Sequence, residues 1–170
     1  PLDGTVAVIK GYHEFTVNIA LMENNVCIGA VVYVPYFGKM YVAGRNAGSF
    51  LKEGVAPDAG ASYTYDEIVC GWTRLPLPRE GRHERLRARH PDLEVVEQGS
   101  SYKFCMLAEG SVDYYVRTTR TYEWDTAAGE LILAEAGGTT RSLPGDAELR
   151  YNEADLHNPW FVCRSKYCEL

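Results

Sequence analysis

Residues 15–43 read FTVNIALMENNVCIGAVVYVPYFGKMYVA, and this stretch decides the fold class. Phe15–Met22 alternates in part between apolar and polar residues, as a half-buried strand does. Val26–Val34 is rich in β-branched residues, which suit a pleated surface. Lys39–Ala43 is a third run of this kind. Asn24-Asn25 separates the first two runs, and Pro35–Gly38 separates the second and third. Both are turn chemistry, so the spacing predicts an antiparallel meander.

Outward from the meander, Gly44, Gly48, Gly54 and Gly60 mark loops, with a short strand over Ala47–Leu51. Glu67–Trp72 reads as a further strand. The Pro-rich connector Leu75–Pro78 divides the chain into an antiparallel-sheet sub-domain, 1–75, and a second sub-domain, 76–170. That second part alternates. Glu80–Arg89, Ser101–Ala108 and Asp125–Ala136 read as helices, and Leu93–Glu97, Asp113–Arg117 and Phe161–Arg164 as strands. Strands alternating with helices predict a sheet covered by helices, hence an α/β protein with α+β character.

Composition narrows the function. The chain has 170 residues, 46% hydrophobic and 24% charged, which fits one soluble domain with a sizeable core. No apolar run approaches the about 20 residues that a bilayer-spanning helix needs. A net charge of −6 argues against a nucleic-acid partner, whose backbone calls for a basic face. The one basic cluster, Arg79–Arg89, carries Glu80 and Glu84 at helical spacing and reads as a solvated helix face. The odd count of five cysteines predicts reduced thiols, four of them within apolar runs. The chain opens on Pro1 without a signal-peptide pattern, which predicts that it is the C-terminal part of a longer parent.

Three elements carry candidate chemistry. In Pro1-Leu2-Asp3-Gly4-Thr5, Gly4 permits a tight turn beside a carboxylate and a hydroxyl. An ordinary Asp-Gly turn would look the same. In Glu123-Trp124-Asp125-Thr126-Ala127-Ala128-Gly129, Asp125 stands where a helix should begin. It is either an N-cap or a carboxylate aimed into a cleft, and it can be both. In Gly99-Ser100-Ser101-Tyr102-Lys103, a serine caps the next helix and Lys103 falls in its first turn. A cation there opposes the helix dipole unless an anion is shared between it, the serine and the exposed amides.

Together these motifs resemble the inositol monophosphatase family of magnesium-dependent phosphatases. That family carries D-P-[IL]-D-G-T followed by W-D-x-A-A-G. PLDGT matches the first without its leading Asp, and Trp124–Gly129 matches the second. Residues 99–105 (GSSYKFC), Ala108-Glu109-Gly110, Asp113–Arg117, Leu149–Asn152 and Leu156–Pro159 are similar to the CysQ-type 3′(2′),5′-bisphosphate nucleotidase branch. That branch often has Ser-Arg-Ser-His in its connector, where this chain has Glu80-Gly81-Arg82-His83.

The resemblance implies a layered αβαβα sandwich, here without its N-terminal elements. It implies an enzyme of two or three Mg2+ ions, which generate hydroxide and steady the leaving oxygen. Asp3, Asp125 and the Leu2 carbonyl would be metal ligands, and Thr5 would orient the attacking water. The Gly4 and Thr5 amides would hold the scissile phosphate. Ser100, Lys103 and Arg117, with His83, would take the second phosphate and the nucleotide. The implied substrate is adenosine 3′,5′-bisphosphate, in the cytoplasm or peripherally at the inner membrane. With the paired glutamates and first Asp of that family absent, the chain alone is expected to be inactive. An inositol or sugar phosphatase, and a non-catalytic nucleotide- or partner-binding protein, are the competing readings.

Overall fold

The computed structural model describes residues 2–55, 73–75 and 98–168. Its elements in chain order are β1 (Leu2–Asp3), α1 (Thr5–Ile9), β2 (Thr16–Glu23), β3 (Val26–Val34), β4 (Lys39–Gly44), β5 (Gly48–Lys52), β6 (Thr73–Arg74), α2 (Tyr102–Glu109), β7 (Tyr114–Arg117), α3 (Glu123–Glu135), β8 (Thr139–Leu143) and β9 (Trp160–Arg164). β1 to β6 form one sheet in sequence order, every neighbouring pair antiparallel. The meander is therefore as expected. Asn24 and Asn25 both take positive φ, 49° and 65°, the backbone that a tight hairpin requires.

The register explains where the helices sit. Asn18, Val32, Tyr41 and Leu51 lie opposite one another in a buried row. The next row on that face is Ala20, Ala30, Ala43 and Ser49, all small. Small residues let a helix approach closely. α3 lies across β2 to β5 and joins the same core through Ala128, Leu131, Ile132 and Ala136. It also touches β8.

The second sheet is three-stranded, ordered β7-β9-β8 and wholly antiparallel. α2 and α3 cross near Gly129, where a Cβ would stand 2.7 Å from the Phe104 ring. Both sheets are thus backed by shared helices, which is the α/β layering that the sequence predicts.

Several details differ from the sequence reading. β1, α1 and β8 were not foreseen. β8 is Thr-Thr-Arg-Ser-Leu, a polar segment recruited by pairing with the apolar β9. Asp125 is the third residue of α3, not its cap; Tyr122 holds the cap position. Ser101 holds the cap position of α2, yet its side chain makes no capping bond. Cys27, Cys105 and Cys163 are buried thiols, as expected. The readings of Gly60, Glu67–Trp72, Cys70, Pro76–Pro78, the basic helix Glu80–Arg89, His83 and Leu93–Glu97 lie outside the described residues. No helix among the described residues is long and apolar enough to cross a bilayer.

Candidate active site

Asp3 ends the short strand β1, opposite Thr16 of β2. Gly4 then turns the chain into α1 with φ 84°. A Cβ at Gly4 would meet the Glu14 carbonyl at 2.9 Å, so the residue is required by space as well as by backbone conformation. Thr5 is the first residue of α1 and is exposed. Leu2 pairs with Val17, and its side chain is exposed.

The segment before α2 packs directly onto this turn. The Ser101 amide donates to Asp3 Oδ2 at 2.6 Å. The Gly99 amide donates to Glu14 Oε2 at 3.0 Å. The Ser101 hydroxyl bonds Asn18 Oδ1 at 2.8 Å and Thr16 Oγ1 at 2.7 Å, both buried residues of β2. That is why it does not cap its helix. Ser100 sits at φ 53°, and the Tyr102 amide reaches its Oγ only at 3.4 Å.

Lys103 resolves the dipole argument differently from the sequence reading. Its ammonium folds back and donates to the Gln98 and Ser100 carbonyls at 3.0 and 2.7 Å. Two carbonyls thus offset the unfavourable end of the helix. The Lys103 Nζ also stands 5.1 Å from the Tyr115 ring centre. An ammonium has three donors, so one remains. Burial pushes Lys103 down to about 8, and the Arg117 guanidinium adds to that shift, while Asp3 and Glu14 oppose it.

Arg117 ends β7, within electrostatic reach of Lys103, Tyr115 and Asp125. Its Nε is buried and has no hydrogen-bond partner among the described residues. A buried unpaired donor on a cation is costly, so an acceptor from outside the protein would be favoured there.

Asp125 accepts the Tyr122 amide at 2.9 Å from the first turn of α3. Its carboxyl is raised above the ordinary range, first by burial; Asp3 adds to the rise, and the Tyr122 amide and Arg117 counter it. Desolvation is thus a larger cause than the neighbouring Asp3 carboxylate. Ala127, Ala128 and Gly129 are buried, so this turn is pressed against its neighbours.

The structure therefore brings Asp3, Gly4, Ser100, Lys103, Arg117 and Asp125 into one neighbourhood. Glu14, Thr16 and Asn18 were missed by the sequence reading. No spacing pattern marks them, because their role comes from pairing with a segment more than eighty residues away. The oxygen donors of Asp3 and Asp125 suit a hard divalent cation in kind. They are short in number: no group of three acidic, His or Cys side chains able to hold a metal converges among the described residues.

A profile of the inositol monophosphatase family matches residues 1–167. The chain is 36% identical over 156 residues to the 3′(2′),5′-bisphosphate nucleotidase CysQ of Buchnera aphidicola, covering 89% of this chain and 56% of the relative. It is 35% identical over 159 residues to CysQ of Escherichia coli K12, covering 85% and 58%. The chain thus spans a little over half the length of these two relatives. The crystal structure of CysQ from Bacteroides thetaiotaomicron superposes with a TM-score of 0.83 at 36% identity, covering 98% of this chain and 68% of that one. Mycobacterium tuberculosis SuhB shares the fold, with a TM-score of 0.66 at 22% identity, covering 97% and 64%. The chain belongs to the inositol monophosphatase family.

Proposed function

We propose that this chain forms the larger part of the active site of a magnesium-dependent phosphatase that removes the 3′-phosphate of adenosine 3′,5′-bisphosphate. The observation that carries this reading is the pair of cations Lys103 and Arg117 beside the Asp3–Asp125 carboxylates. Arg117 disfavours the charge on Lys103, and its buried Nε has no hydrogen-bond partner among the described residues. A substrate with one phosphate at the carboxylates and a second at the cations satisfies both. An inositol monophosphate leaves the cations unanswered.

In this reading Asp3, Asp125 and the Leu2 carbonyl contribute oxygen ligands for magnesium, which supplies charge neutralisation and a water-derived nucleophile at neutral pH. Thr5 orients the attacking water. The amides of Gly4 and Thr5 take the scissile phosphate, whose trigonal transition state spreads charge over its oxygens. Ser100, Lys103 and Arg117 hold the other phosphate, and so fix the ribose relative to Asp125. His83 is a further proposed contact to the nucleotide. Two carboxylates are too few for a tight site, so the 170-residue chain alone should bind magnesium weakly and turn over little.

The test is phosphate release with magnesium from adenosine 3′,5′-bisphosphate and inositol 1-phosphate side by side. It uses the chain alone and the chain joined to the upstream part of a CysQ relative. Activity on the bisphosphate in the joined protein supports the proposal. Preference for inositol phosphate moves the reading to that branch, and a folded but inactive joined protein points to a binding role without hydrolysis.

A further inference from the structure

The Gln98–Ser101 segment is held from both sides by Asp3 and Lys103, which belong to the motifs, and by Glu14, which does not. Its backbone groups alternate in partner. The amides of Gly99 and Ser101 go to carboxylates, Glu14 and Asp3 respectively, at 3.0 and 2.6 Å. The carbonyls of Gln98 and Ser100 go to one ammonium, that of Lys103, at 3.0 and 2.7 Å. Ser100 at φ 53° is the conformation that makes the alternation possible, and a non-glycine residue holds it only when its surroundings enforce it.

Glu14 joins this clamp from the loop between α1 and β2. It fits without spare room. A Cβ at Gly99 would lie 2.7 Å from Glu14 Oε2, and a Cβ at Gly4 would lie 2.9 Å from the Glu14 carbonyl. Glu14 therefore touches both halves of the candidate site: its main chain abuts Gly4 and its side chain carries Gly99.

We propose that Glu14 is a positioning residue: by holding the Gly99 amide it keeps the Ser101 amide on Asp3, and so aims the Asp3 carboxylate. The charge-assisted bond to Gly99 fixes one end of the turn, the Lys103 ammonium fixes its inner side, and the Ser101–Asp3 bond follows from both. Asp3 then has one oxygen engaged and its orientation set before any ligand arrives. The inference rests on reading Asp3 as part of the active site.

The experiment is amide hydrogen exchange by 1H–15N NMR on the 170-residue chain and its variants. Glu14→Ala is expected to speed exchange at Ser101 as well as at Gly99, by about tenfold or more, although Ser101 does not touch Glu14. Glu14→Gln, which keeps an acceptor in place, should restore most of the protection. Asp3→Asn should disturb Ser101 and spare Gly99. Glu14→Asp, one methylene shorter, serves if the alanine variant does not fold. Loss of protection confined to Gly99, with Ser101 unchanged, would overturn the proposal, as would equal loss across all strands. Mn2+ titration of the same samples tests the other premise separately. Broadening at Gly4 that weakens in Glu14→Ala supports the aiming of Asp3. Absence of broadening in every variant, the unaltered chain included, counts against the metal reading of Asp3.

Discussion

Among the described residues, Lys103 and Glu130 are both shifted toward neutral pH. Lys103 is pushed down to about 8 chiefly by burial. In the unliganded protein it loses its proton as pH rises through about 8, and a phosphate binds only its charged form. Affinity for the second phosphate is therefore full below about pH 8 and declines about tenfold per unit above it. The pH dependence of KM for adenosine 3′,5′-bisphosphate in the joined protein checks this, and Lys103→Met should raise KM and flatten that limb. Glu130 is raised to about 7 by burial, partly offset by the Tyr151 hydroxyl bonded to it. A carboxyl raised in the folded state holds its proton longer there than in the unfolded chain. Stability from this group falls as pH climbs from its ordinary value to about 7, and stays low above. Glu130→Gln should leave stability at pH 4 nearly unchanged and raise it at pH 8 by about 1–2 kcal/mol or more, a few degrees in Tm. Of the candidate-site residues, Asp3 and Asp125 stand out in the sequence because their motifs pair a carboxylate with small neighbours. Glu14 was not, since a glutamate before a phenylalanine has no local signature.

At the scale of elements, the meander was legible because each strand has its own β-branched run and its own turn residues. β8 was not, because Thr139, Thr140, Arg141 and Ser142 carry no strand pattern. Its buried residues, Thr140 and Ser142, lie opposite Cys163 and Phe161 of β9. The two helical runs within the described residues, Ser101–Ala108 and Asp125–Ala136, were visible, with starts one and two residues from the observed Tyr102 and Glu123, but what the cap side chains do was not. Ser101 gives its hydroxyl to β2 instead, and Asp125 reaches back to Tyr122. The α2–α3 crossing makes its own prediction. Gly129→Ala would drive a Cβ to within 2.7 Å of the Phe104 ring, and the two helices would have to part. The expected cost is about 1–3 kcal/mol, as for other overpacked cores, read as a lower urea midpoint with unchanged slope.

At the scale of the whole molecule, the helices tie the two sheets together. Glu135 of α3 accepts the Asn46 and Gly48 amides at 2.8 Å each, clamping the helix end to the β4–β5 turn. Glu109 at the end of α2 accepts the Tyr41 hydroxyl and pairs with Lys39 at 2.8 Å, both on β4. α2 also packs on β9 and α3 on β8, so neither sheet keeps its core if the helices leave. The 170-residue chain should therefore unfold in one transition, with far-UV and near-UV circular dichroism changing together on heating; two separated transitions would contradict the shared-helix reading. The strands of the meander, the helical runs and the two carboxylate motifs are local facts, settled by side-chain period, turn chemistry and small residues within a few positions of one another. The family resemblance rests on those same local patterns. The clamp on Gln98–Ser101, the redirected Lys103 ammonium, the burial of Arg117 Nε with no partner among the described residues, and the recruitment of β8 arise only when distant segments meet. Each depends on which backbone groups burial leaves needing a partner, and a linear sequence does not carry that information.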